Sequence, residues 1–139
     1  MKRNNSAIVN GDHSFEELYL KFDSVIADIY SITSDIFEQL DSLEKDAVTI
    51  KDQPHFIGSP IFSRNKYLVL VPPMVDGERK HHYIGNNPSK ISDAMAKIER
   101  GKLLRNINEQ IDNKHYQLLI ILTQLEAIRN KHLENTNDE

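Results

Sequence analysis

The sequence predicts an α+β chain that is mostly α: two long antiparallel helices forming a coiled-coil hairpin, with a two- or three-stranded β-hairpin and a short helix inserted between them. Three observations predict this. Apolar residues recur three and four apart near both ends of the 139 residues, the spacing of a helix seam. The middle replaces that rhythm with β-branched residues, prolines and glycines. It is also basic, whereas both flanks are acidic.

Ser14 followed by Glu17 has the spacing of a capping box and opens the first helix. Phe15, Leu18, Phe22, Val25, Ile29, Ile32 and Ile36 then form the seam, and Tyr19, Ile26, Tyr30 and Phe37 widen it. The pattern changes register to Leu40, Leu43 and Ala47. No proline or glycine interrupts it, so a helix is expected over 14–50, with 1–13 a flexible N-terminus.

Residues 51–101 form the inserted module. Lys66 to Val71 reads as a strand, and Asp76-Gly77 signals a type I′ hairpin turn because both central positions need positive φ. Arg79 to Ile84 is the return strand. With Val75 opposite Glu78, the register sets Val71 against His82, Leu70 against Tyr83 and Val69 against Ile84. Pro72 and Pro73 cannot donate ladder bonds, so that end is an edge or a bulge. His55 to Phe62 is a candidate third strand, interrupted by Gly58 and Pro60. Asn87-Pro88 is a helix start, an N-cap residue before proline at the first helical position. Ile91, Ala94, Met95 and Ile98 give a short amphipathic helix that Gly101 ends or bends.

Leu104, Ile107, Ile111, Leu118, Ile121, Leu125 and Ile128 restore the seam, flanked by Leu119 and Leu122, and predict a last helix over 102–134 with a flexible tail, 135–139. Two helices of matching length pair antiparallel most simply, with Ala47 near Leu104 and Lys114 beside Glu38 and Asp41. Lys114 then either fixes the register or snorkels outward. The stripes are wider than one partner helix covers. A homodimer is therefore expected, packed through Phe22, Ile29, Ile36, Ile111, Leu118 and Leu125.

Net charge is −4, but its distribution is uneven. Residues 54–105 hold nine Lys or Arg (Arg64, Lys66, Arg79, Lys80, Lys90, Lys97, Arg100, Lys102, Arg105) against four acids (Asp76, Glu78, Asp93, Glu99). The remainder holds eight bases and 17 acids. Such segregation suits a part that meets an anion; strand edges also carry Lys and Arg simply to resist aggregation.

The stretch from Lys66 through Asp76-Gly77-Glu78-Arg79-Lys80-His81-His82-Tyr83-Ile84-Gly85 to Ile91-Ser92-Asp93-Ala94 resembles a bacterial pattern found in plasmid- and phage-related proteins with coiled-coil flanks. It is also similar to the three-stranded arm-type DNA-binding domains of tyrosine integrases. That resemblance implies a sheet that enters the major groove, with Arg64, Lys66, Arg79, Lys80 and His82 on the duplex. Pro72-Pro73 departs from the integrase pattern, and no recombinase catalytic residues follow. Lys90, Lys97, Arg100, Lys102 and Arg105 would continue the phosphate track along the helix.

Chemistry is sparse. Cysteine is absent, which excludes disulfides and cysteine-ligated metals. His81 and His82 are adjacent on a strand and point to opposite faces, and no His-x₃-His pair occurs, so no metal or other cofactor is expected. There is no Gly-x-Ser-x-Gly elbow and no phosphate-binding Gly-x-x-x-x-Gly-Lys loop, so an enzyme is not expected. The longest apolar run, Leu118 to Leu122, is far too short to span a bilayer, and the N-terminus lacks a secretory core. A cytoplasmic protein is expected, either a DNA-binding accessory or regulatory protein of a mobile element, or a scaffold or inhibitor that binds a protein partner through its coiled coil or sheet edge.

Overall fold

The computed structural model describes residues 14–137, and the N-terminus expected over 1–13 lies outside them. The elements run α1 (Phe15–Lys51), β1 (Ser59–Ser63), β2 (Tyr67–Val71), β3 (His82–Gly85) and α2 (Pro88–Asn137). The chain forms two compact units, divided within α1 between Glu38 and Gln39. As predicted, two long helices flank an antiparallel sheet; the sheet has three strands, in the order β1-β2-β3.

In the first unit Ser14 caps α1: its Oγ accepts the Glu17 amide at 3.1 Å, occupying a donor that the helix start leaves over. Ile36 is buried and Ile29 half-buried. Phe15, Tyr19, Phe22, Ile26, Tyr30 and Phe37 are instead between 61 and 84 % exposed.

In the second unit the last turns of α1 meet α2. Ile50, Leu104 and Ile107 are buried together, with Leu43, Ala47 and Ile111 packed around them, the antiparallel pairing that the seams predict. Lys114 is half-buried, but Asp41 does not pair with it. Asp41 Oδ2 lies 2.9 Å from Lys45 Nζ, one turn along the same helix, and this hydrogen bond raises the Lys45 pKa above its ordinary value. A neighbour at i+4 is held near by the backbone itself, whereas a cross-helix partner must be brought in by packing.

β1 pairs with β2 from Ser59↔Val71 to Ser63↔Tyr67. The predicted span 55–62 therefore begins too early. Residues 54–57 are occupied elsewhere: Phe56 donates its amide to the Lys97 carbonyl at 3.0 Å, and Arg100 Nε donates to the Pro54 carbonyl. Pro60 is tolerated because β1 is an edge strand. The β1–β2 turn places Arg64 at φ 53° and Asn65 at φ 63°, a left-handed pair built without glycine.

The Asp76-Gly77 turn forms as predicted, with φ 52° and 79° and reciprocal Val75–Glu78 hydrogen bonds of 2.8 and 2.9 Å. The predicted β2–β3 register does not hold. Leu70 faces His82 and Val69 faces Tyr83, and the ladder shifts again toward Leu68↔Gly85. From the Val75–Glu78 bridge to the Leu70–His82 pair, the arm carrying Pro72 and Pro73 has one residue more than its partner. Prolines release that arm from the ladder, so it absorbs the extra residue. A slip of one exchanges the faces of the return strand, and the site described below depends on it.

Asn87 caps α2, its Oδ1 accepting the Ser89 amide at 2.9 Å and the Lys90 amide at 3.3 Å. The helix then runs 50 residues without a break. Of the two roles expected for Gly101, an end or a bend, the end is excluded: the short helix and the last helix are one, and α1 and α2 are not matched in length. Gly101 is buried inside α2, and a Cβ there would collide with the Phe56 carbonyl. Glycine serves a close backbone approach, not a helix end. Leu68 and Leu70 pack on Ala94 and Ile98, with Phe56, Ile84, Ile91 and Met95 around them.

Candidate nucleic-acid interface

Strand alternation gives the sheet two chemically different faces. Leu68, Leu70, Ile84 and His82 point toward α2; the first three join the core, and His82 is exposed at its margin. The other face carries Ile61, Tyr67, Val69 and Tyr83, aligned by the pairs Ile61↔Val69 and Val69↔Tyr83. None of these four belongs to a core cluster. Ile61 is 52 % and Tyr83 69 % exposed, while Tyr67 and Val69, on the central strand, are half-buried. The Tyr67 and Tyr83 rings lie stacked, centroids 6.5 Å apart at 29°, and Lys66 Nζ sits 5.1 Å from the Tyr67 ring centre, a cation–π distance.

The cations gather in three places around this sheet. Arg64 and Lys66 occupy the β1–β2 turn and are exposed. Beyond the other end of β2, Arg79 from the hairpin and Arg105 from α2 line one cleft with Ser59, Val71, Pro72 and Pro73; Lys80 is exposed beside Arg79. On the helix side, His55, His82, Lys90 and Lys97 line a second cleft that also holds Asp93. Lys90 and Lys97 are two helical turns apart and so share a face. Phe56 lies edge-on to His82, centroids 5.3 Å apart.

Among the described residues, Lys102–Glu99 at 3.4 Å is the one ion pair made by any of the nine basic residues. The others project charge into solvent. Arg100 is the exception: it is half-buried and donates to the Pro54 carbonyl, which fixes the loop before β1 on α2. Arg100 therefore belongs to the fold.

The single phosphate track drawn from sequence resolves into these separate groups. His82 lies on the helix side because of the register slip, away from Arg64 and Lys66. His55 is not among the residues expected at the site; it joins the second cleft because the loop before β1 folds back on α2, a long-range contact that the sequence does not announce. Of the predicted helix-packing residues, Ile36 is buried, Ile29, Ile111 and Leu118 are half-buried, and Phe22 and Leu125 are exposed in the single chain.

Among the described residues no helix is long and apolar enough to cross a membrane. No protein-family model, curated protein or solved structure matches this chain.

Proposed function

We propose that the protein is a non-enzymatic DNA-binding accessory or regulatory protein, of the kind mobile genetic elements carry, which dimerises through its helices and meets DNA with the basic sheet module. The observation that supports this reading is the set of cations around the sheet: all nine but Arg100 are exposed, and of these only Lys102 makes an ion pair among the described residues. Unpaired Lys and Arg in acid-poor surroundings replace the counterions condensed on a phosphate backbone, and the released ions drive association.

The test is equilibrium binding of the intact chain to duplex DNA, beside the double substitution Arg79→Ala and Lys80→Ala. The double variant should bind more weakly and shallow the salt dependence by about two, whereas Lys131→Ala, an exposed change near the end of α2, should change neither. Equal affinity of all three proteins would refute the reading.

A second reading, a scaffold or inhibitor that binds a protein partner, is favoured by the exposed apolar residues of α1 and by Tyr116, Leu119, Leu122 and Ile128 on α2. It predicts that changes on these helices, not at Arg79 and Lys80, abolish partner binding.

A further inference from the structure

We propose that the open face of the sheet takes unpaired bases, so that the preferred ligand is single-stranded or locally melted DNA. This rests on the DNA-binding reading and names its substrate class.

The outward strand positions are Ser59, Ile61 and Ser63 on β1, Tyr67 and Val69 on β2, and Tyr83 on β3; Val71, at the end of the same row, is buried. Reading a duplex through its major groove requires groups that pair with base edges, above all Arg, Lys, Asn and Gln. This face has none of them. Pressing Ile61, Val69 and two tyrosine rings into a groove would strip water from the polar base edges and return little. An unpaired base offers its flat π surface instead, and an aromatic side chain stacks on that surface whatever the base.

The geometry suits a strand. Tyr67 and Tyr83 are neighbours on this face, their ring planes inclined by 29° and their centroids 6.5 Å apart. Five paired residues of β1 and β2 span about 14 Å, room for two or three bases. Charge complementarity selects a nucleic acid as the occupant: Arg64 and Lys66 stand at one end of the sheet, and Arg79 and Arg105 line the cleft at the other. The acids Asp76 and Glu78 are confined to the hairpin tip. A strand laid between these ends would place its phosphates by the cations and its bases on the tyrosines.

Electrostatics alone makes the opposite forecast, which gives the test its force. A duplex has the higher charge density and releases about 0.9 counterion per phosphate contact, against about 0.7 for a single strand. A single strand can win only through contacts other than charge. The experiment compares the intact protein's affinity for oligothymidylate and for a duplex of equal phosphate count, at one salt concentration, with the variants Tyr83→Leu and Tyr83→Phe. Tyr83 is largely exposed, so both variants keep the core. The expected result is tighter binding to oligothymidylate, weakened about tenfold by Y83L and retained by Y83F, with duplex affinity unchanged throughout. Duplex binding that exceeds oligothymidylate binding, or a Y83L variant that matches the parent, overturns the inference and leaves the DNA-binding reading standing. No binding to either ligand overturns both. A fall in sedimenting mass on Y83L would show that a second copy covers the face, and would also overturn it.

Discussion

Two residues carry a conformational burden that separates folding from function. Arg64 sits in the left-handed region, which costs an L side chain about 1–2 kcal/mol. Asn tolerates that region better, so Arg64→Asn should raise thermal stability, by about 0.5 kcal/mol, while weakening DNA binding. A chemical denaturation curve and a binding isotherm on one preparation check both signs. Gly101 makes the converse case. In an open helix Gly→Ala gains about 1 kcal/mol, but here the new methyl meets the Phe56 carbonyl. Gly101→Ala should therefore destabilise, and a melting curve shifted upward would contradict the packing described. Sequence alone could not separate these roles. A glycine inside a helical pattern reads as an end or a bend, and Arg64-Asn65 carries no glycine to announce a turn. By contrast Ser14, Asn87 and Asp76-Gly77 were legible, because their partners lie within three residues.

At the scale of elements, legibility follows the range of the interaction. The seams of α1 and α2 predicted the Ala47–Leu104 neighbourhood correctly, since helical periodicity is set locally and only the pairing is long-range. The hairpin register failed because Pro72 and Pro73 uncouple one arm from the ladder, and a turn fixes register only where the ladder is continuous. That one-residue slip moved Tyr83 to the open face and His82 to the helix side. The cations of the candidate site could thus be named from sequence, but not their grouping. The sheet module stands on a small core, so Ile98→Ala, at a fully buried position, should cost about 2–5 kcal/mol. Loss of the unfolding transition of the sheet without loss of helical signal elsewhere would show the module folding as its own unit. A loss below about 1 kcal/mol would mean that Leu68, Leu70 and Ile98 are not the centre of that core.

For the whole molecule, the wide apolar stripe of α1 argues for association, since contiguous exposed apolar surface on this scale marks an interface. Sedimentation equilibrium should give twice the chain mass of 16.0 kDa. Phe22→Glu should return the protein to monomer without melting α1, because Phe22 is exposed in the single chain. A wild-type monomer at micromolar concentration would contradict the dimer. Two copies would present two basic sheets, which suits a two-part site on DNA. The proposed DNA-binding role rests on unpaired positive charge around the sheet, inside a chain that is acidic overall. Its most direct measurement is the salt dependence of the wild-type protein's affinity for duplex DNA. Engagement of about four to six phosphates predicts a line of slope near −4 to −5 in log affinity against log salt. A flat line, or no binding at about 50 mM salt, would contradict it.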